Sequence, residues 1–328
     1  MIFKCNNCGG NVVYDPAKKK MVCPHCESEE SQSIVAEENR MQCVNCGAPL
    51  EPDDITSAMR CPNCGSYHVF EEMVSGEYKP HLILPFLISR EEAAENLKKE
   101  FKKRVFTPSG FLSHASISKM EGAYIPFFLY DYDSNAELSA TGTKVRSWTE
   151  GNYRYTETSY YQVERELDID FNRIPVDASK EMDNEVMDLL EPYDYKALLD
   201  FNEKYMSGFY GEIYSEDLGE VGKRAETKAN RASEALLRDS VSGYSTLMNE
   251  VKHIDLHEKN REYALLPVWV YDFEFRGQKL RFHVNGQTGK VIGVTPVDKK
   301  KVVLYSASVF GICAVIGMLT NVILSVFL

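Results

Sequence analysis

The pattern of apolar and polar positions divides this chain into three parts. The last 27 residues, Val302 to Leu328, carry no charged side chain, and Lys299, Lys300 and Lys301 stand directly before them. At 1.5 Å rise per residue a helix of that length reaches about 40 Å, against a hydrocarbon core of about 30 Å. A transmembrane helix over 302–328 is therefore expected, since core helices of soluble proteins rarely run beyond about 20 residues without a polar face. Its polar members, Tyr305, Ser306, Ser308, Thr320, Asn321 and Ser325, lie mostly toward the two ends, and Ala307 and Gly311 give it a small-x3-small face.

The middle, residues 78–298, mixes strand and helix periods. His81 to Ile88 is a strand-like apolar run. Ser89-Arg90-Glu91-Glu92 forms a capping box, and Ala93, Leu97, Phe101 and Val105 follow at i+4 spacing, predicting a helix of about four turns. Ala123 to Tyr132 reads as a strand, and the same phrase returns as Ala264 to Phe273, with Ala, Pro, Tyr and Asp in register. After the second copy the pattern predicts a meander: Phe273–Arg276, a turn at Gly277, Lys279–Val284, a turn through Asn285–Gly289, and Lys290–Val294. Asn285-Gly286 is the pair expected to supply positive φ. The first copy is followed by Ser134-Asn135, read as a turn, and an extended Ala136–Thr143. Tyr153–Asp170 alternates as strand with a solvated acidic face. A second helix is predicted from Ser215 to about Asp239, burying Leu218, Val221, Ala225, Ala229, Ala232 and Leu236. The fold class is α+β, with two related antiparallel-sheet halves (near 123–143 and 264–294) and helices.

The first seventy residues have another logic. Cys5/Cys8, Cys23/Cys26, Cys43/Cys46 and Cys61/Cys64 form four pairs, and adding 38 to the first four numbers gives the last four. Each Cys-x2-Cys turn aims two sulfurs at one ion, and fourteen intervening residues return a second turn to its other side. Gly9, Gly47 and Gly65 directly follow a pair, where a left-handed residue suits such a turn. Two small four-cysteine zinc ribbons are expected, 1–34 and 39–70, each holding one structural Zn²⁺ in a closed tetrahedron with no open position for hydrolysis. His25, inside Cys23-Pro24-His25-Cys26, is an exposed turn residue because its quartet is already complete. The acidic, serine-rich Ser28–Glu38 stretch reads as a flexible linker between two independent beads.

Charge and placement refine this. The net charge is −12; residues 1–70 carry 6 basic and 9 acidic side chains, and only the segment from Lys299 onward is basic. The lysine triplet predicts, by the positive-inside rule, that the body faces the cytoplasm of a single-pass cell-membrane protein. That compartment keeps thiols reduced, favouring metal over disulfides. Met1-Ile2-Phe3-Lys4-Cys5 runs into polar sequence, so no secretory signal is expected. Nucleic acid is not the expected ligand, since phosphate contact needs clustered Lys/Arg and the ribbons offer only Lys18-Lys19-Lys20 as a run.

No catalytic constellation emerges. His253 and His257 share a strand face without a third ligand nearby in sequence, and are expected as satisfied sheet histidines. Thr288-Gly289-Lys290 lacks the first glycine and final Ser/Thr of a phosphate loop, position 284 and position 291 both being Val. Cys313 lies in the span as a small apolar residue.

The tandem Cys-x2-Cys-Gly and Cys-Pro-x-Cys turns, the Ile125-Pro126-Phe127-Phe128 and Leu266-Pro267-Val268-Trp269 strands, the Val284–Val291 hairpin and the lysine-flanked span together resemble a family of bacterial membrane-anchored tandem zinc-ribbon proteins. The resemblance runs over nearly the whole chain. Members are labelled transcription-factor-B-type zinc ribbons or relatives of the primosomal helicase; the helicase label does not carry over, since no phosphate-binding loop is present. The resemblance implies company with flotillin-like and phage-shock membrane-stress proteins. The Val284–Val291 hairpin is also similar to peptidase-propeptide-like domains. The reading is a non-enzymatic scaffold or adaptor whose partners are membrane proteins and the lipid bilayer; the alternative is a membrane-tethered nucleic-acid-binding or transcription-related protein.

Overall fold

The computed structural model describes residues 1–36, 39–108, 111 and 120–327, with side chains as far as Thr320. Glu37 and Glu38 of the expected linker and Leu328 of the expected span lie outside the described residues, as do the side chains of Asn321 and Ser325.

The first cysteine quartet is framed by β1 (Ile2–Cys5), β2 (Val13–Asp15), β3 (Lys20–Val22) and β4 (Gln32–Val35), with β2 antiparallel to β3 and β1 to β4. The second is framed by the antiparallel β5 (Thr56–Arg60) and β6 (Tyr67–Val69). The two expected independent beads do not form. Four of the nine described linker residues form β4, paired to β1 from Gln32 to Val35. The Met1 ammonium donates to the Val69 carbonyl, and the Tyr67 amide donates to Asn11 Oδ1 at 3.0 Å. Met1, Phe3, Tyr14 and Met21 of the first ribbon are buried in the main core, whereas Cys43, Leu50, Cys61 and Phe70 of the second form a small buried cluster of their own.

The body adds β7 (Leu82–Ile83), α1 (Arg90–Lys103), β8 (Met120–Glu150), β9 (Tyr153–Asp177), α2 (Asn184–Leu190), β10 (Leu199–Asp200), β11 (Tyr210–Glu212), α3 (Leu218–Asp239), β12 (Thr246–Phe275), β13 (Gln278–Asn285), β14 (Val291–Ile292) and α4 (Lys299–Phe327). One mixed sheet runs β10-β7-β12-β8-β11-β5-β6, with β9 on β8 and β13–β14 beside β12. The second ribbon is thus part of the body's sheet, through Ala58 opposite Gly211.

The repeated phrases do not build two separate sheets. They pair with each other, antiparallel, with Pro126 opposite Leu265 and Tyr124 opposite Pro267. β8 also runs straight through Ser134-Asn135. Ser134 is buried and its hydroxyl meets Ser233 Oγ of α3 at 2.9 Å, so a group that would otherwise cap a turn is satisfied by the helix above the strand. The apolar run at 81–88 contributes only the two residues of β7 to the sheet.

Both predicted helices form. Ser89 caps α1 through the expected capping box, and Ala93, Leu97 and Phe101 are buried; Val105 is 65% exposed because the helix stops at Lys103. α3 starts on Asp217, whose carboxylate accepts from the Gly219 and Glu220 amides. Its buried stripe is Val221, Ala225, Ala229, Ser233 and Leu237, a strict i+4 row, so Leu236 faces out and Ala232 is half-buried. An i+4 row inclines to the helix axis and lets α3 follow the twist of the strands beneath. Arg224 fastens the helix to the fully buried Asp177 (2.9 Å) and to Glu216; Lys228 reaches Asp188 (2.7 Å) and Glu191 (2.8 Å). Burial pushes the Asp177 carboxyl up to about 6 despite Arg224.

The hairpin after β12 turns at Arg276-Gly277, both left-handed. In the next turn the positive φ falls on Gly289, not on Gly286. Asn285 is wholly buried: its Oδ1 accepts from the Gln287 and Thr288 amides and its Nδ2 donates to Leu190 O. Gly286 serves close approach, since a Cβ there would lie 2.6 Å from Pro267 Cβ and 2.8 Å from the Phe86 ring.

Among the described residues α4 is long and apolar enough to cross a membrane, with mean hydropathy 2.2 and no buried side chain over its described length.

Candidate metal centres

The four Cys-x2-Cys turns share one hydrogen-bond pattern. The amide four residues after the first cysteine donates to that cysteine's carbonyl: Gly9 to Cys5 (2.8 Å), Glu27 to Cys23 (2.9 Å), Gly47 to Cys43 (2.8 Å) and Gly65 to Cys61 (2.9 Å). The first cysteine's own amide donates five residues on, to Gly10, Ser28, Ala48 and Ser66. This loop requires a left-handed residue at its fourth step, and Gly9, Gly47 and Gly65 have φ of +73°, +73° and +77°. The second turn places Glu27 there at +58°, a less favourable residue in the same conformation.

These turns bring all eight predicted ligands together. In the first quartet Cys5 Sγ lies 3.6 Å from Cys26 Sγ and Cys8 Sγ 3.5 Å from Cys23 Sγ; in the second, Cys43 to Cys64 is 3.6 Å and Cys46 to Cys61 is 3.9 Å. The sulfurs of each quartet all lie within 4.8 Å of one another, and all eight cysteines are free thiols. A tetrahedral ion with sulfur at about 2.3 Å needs an S···S edge of about 3.8 Å, so both quartets fit a four-thiolate metal site of the kind zinc takes. In each pair the first cysteine is buried and the second exposed, which leaves one edge of each site toward solvent.

The residues around the sulfurs are arranged differently at the two sites. Ser28 Oγ stands 3.0 Å from Cys5 Sγ and 3.2 Å from Cys26 Sγ. Its counterpart 38 residues on, Ser66, is 2.8 Å from Cys64 Sγ. The second site adds the buried His68 (Nε2 to Cys43 Sγ, 3.2 Å), Asn45 (Nδ2 to Cys64 Sγ, 3.5 Å) and Asn63 (Nδ2 to Cys46 Sγ, 3.4 Å). Such donors share the sulfurs' negative charge and hold them in place. The serines were findable in sequence, because the repeat of 38 carries Ser28 onto Ser66. His68 has no such partner, position 30 being Glu.

The hydrogen bond with Ser28 draws the Cys5 thiol down to about 6. Cys8, despite the Gly10 amide, is raised to about 12 by Cys23 and Cys26, and burial raises Cys43 to about 12. Cys64, although burial opposes it, is lowered to about 5 with help from Ser66 and Asn45. Thiols so divided do not all ionise together near neutrality without a cation among them, so metal binding must displace protons.

The chain is 37% identical over 320 residues to the uncharacterized protein YdjG of Bacillus subtilis (strain 168), a match covering 94% of each chain. It belongs to the YdjG family. A match of that extent reaches well beyond the cysteine-rich segment. No protein-family model and no solved structure matches it.

Among the described residues no other set of three or more His, Cys, Asp or Glu side chains converges at metal-binding distance. His25 is exposed and lies against Gly10, outside its quartet. His253 and His257 share one face of β12 as expected, but both are exposed instead of packed, His257 standing 3.5 Å from Asp255. That face is the solvent side of the sheet, because α3 covers the other. Thr288-Gly289-Lys290 is a hairpin turn, with Lys290 Nζ held by the Glu191 carbonyl.

Proposed function

We propose that the chain is a non-enzymatic, zinc-binding adaptor anchored in the cell membrane by α4, with its body on the cytoplasmic side, and that it recruits proteins to the bilayer. The observation that carries this is structural continuity: the second four-cysteine site is built on strands of the same sheet that leads through β14 into the apolar helix. Four thiolates complete a tetrahedron and leave no position for a substrate, which supports a stiffening role. Metal at each ribbon would contribute on the order of 10–16 kcal/mol to its folding. The Lys299–Lys301 triplet supports the cytoplasmic placement. Membrane proteins of the flotillin-like or phage-shock kind, in envelope stress, are the proposed company, on the resemblance to tandem zinc-ribbon proteins.

The nucleic-acid reading is less well supported, since Lys18 and Lys20 in the ribbons' one basic run are both engaged by Glu29 (3.2 and 3.0 Å). The test is crosslinked co-purification of the full-length chain from membranes, beside variants with ribbon cysteines replaced in pairs by serine. Discrete membrane-protein partners lost in the variants support the adaptor. Recovery of the chain alone, or of nucleic acid, contradicts it.

A further inference from the structure

We infer that the surface around the base of α4 is a collar that rests on anionic lipid headgroups and fixes how the body stands on the bilayer. This rests on the reading of α4 as a membrane span and goes beyond it, since a span alone leaves the body free to swing.

Four contacts tie the end of α1 to the base of α4. Arg104 Nη1 donates to the Gly293 carbonyl (2.7 Å), the Asp298 amide to the Phe106 carbonyl (2.8 Å), and Lys301 Nζ to the Thr107 carbonyl (2.7 Å). The Phe106 ring meets Tyr305 edge-on, 5.5 Å between centroids. Tyr305 lies four residues beyond Lys301, about 6 Å further along the helix, inside the uncharged segment. A body residue touching it is therefore held at the depth where a span leaves the headgroups.

The surface around that contact has the composition such a depth selects. Val105, Val294 and Val297 are 65%, 81% and 61% exposed. Residues 98–106 and 293–301 together hold eight basic side chains, Lys98, Lys99, Lys102, Lys103, Arg104 and Lys299 to Lys301, against two acidic ones, Glu100 and Asp298, in a chain of net charge −12. Glu95 pairs with Lys99 (2.9 Å) and Glu100 with Lys103 (3.2 Å), which leaves an excess of cations over the patch. Exposed valines beside an aromatic ring and a ring of lysines match the interface of an anionic leaflet, where each lysine contributes about a fivefold factor in affinity.

The test uses the full-length chain in nanodiscs of phosphatidylcholine, with and without phosphatidylglycerol, and reads amide hydrogen exchange over residues 98–106 and 293–298. The collar predicts exchange at least about fivefold slower with phosphatidylglycerol. In a K98Q/K99Q/K102Q/K103Q variant with unchanged metal content that slowing is lost. Equal exchange of the wild-type chain in the two lipids overturns the collar, whatever the variant does. Alkaline carbonate extraction of native membranes separates the two readings: a chain that resists extraction but shows no lipid dependence has the span without the collar, whereas a chain released by carbonate has neither.

Discussion

The Tyr67 amide of the second ribbon donates to the Asn11 carboxamide of the first at 3.0 Å, across 56 residues of chain. Asn11 Nδ2 is held in turn by the Phe3 carbonyl at 3.1 Å, so one side chain ties a β1 carbonyl to a β6 amide. Asn11→Ala leaves the half-buried amide without its acceptor and should cost about 1–3 kcal/mol. Tyr67→Phe keeps the backbone bond and should cost little. Equal melting temperatures for N11A and wild type would contradict this coupling.

The two quartets should differ in how far their loss spreads. β5 and β6 belong to the body's sheet through β11, whereas β1–β4 pair among themselves. A C61S/C64S pair should therefore lower the melting transition of the body more than C5S/C8S. Thermal unfolding followed by far-UV circular dichroism checks the order, and the reverse order would count against it.

Stability in mild acid should depend on His283. It is 4% exposed on β13, neither ring nitrogen has a hydrogen-bond partner among the described residues, and burial, aided by Arg281, pulls it down to about 4. Its folded value lies below the unfolded value of about 6.5, so the unfolded chain binds the proton more readily. The stability difference is fully present above about pH 6.5 and is lost as pH falls toward 4, on the order of 3 kcal/mol. Asp177 opposes it: raised to about 6, it stabilises at low pH and loses that contribution as pH rises from about 4 to 6. His283→Leu should flatten the loss between pH 6.5 and 4 in denaturant titrations. An unchanged slope would contradict the assignment.

Gly286 should not accept a side chain. Alanine there meets Pro267 and Phe86 well inside contact distance, and overpacking of this kind costs about 1–3 kcal/mol. Gly277→Ala meets no atom of the described residues within 4 Å but is strained by its φ of +77°, so it should cost about 1 kcal/mol through the backbone. Chemical denaturation of both variants separates the two mechanisms.

What could be read from the sequence was what short-range chemistry dictates. The eight ligands and the left-handed Gly9, Gly47 and Gly65 follow from the geometry of a turn. Ser89 and Glu92 announced α1 through a local exchange of hydrogen bonds. Ser134-Asn135 misled because turn propensity takes no account of Ser233, a residue 99 positions away that satisfies the hydroxyl. The α3 stripe departs after Ala229 because the surface it follows is twisted, which no periodicity within the helix reports. The repeat between Ala123 and Ala264 was visible, but its meaning was not: matching phrases could lie in two sheets or face each other in one, and only strand register decides. Ribbon docking was hidden for the same reason, since Asn11 and Tyr14 are single residues without a period.

In the proposed function, metal-stiffened ribbons are held at a membrane. The most direct measurement is the metal content of the full-length chain extracted from washed membranes in detergent, alone and with one cysteine pair of each quartet replaced. The account predicts two zinc ions per wild-type chain, one in C5S/C8S and one in C43S/C46S, with the chain in the membrane fraction throughout. A chain found in the soluble fraction, or one carrying disulfides in place of metal, would contradict it.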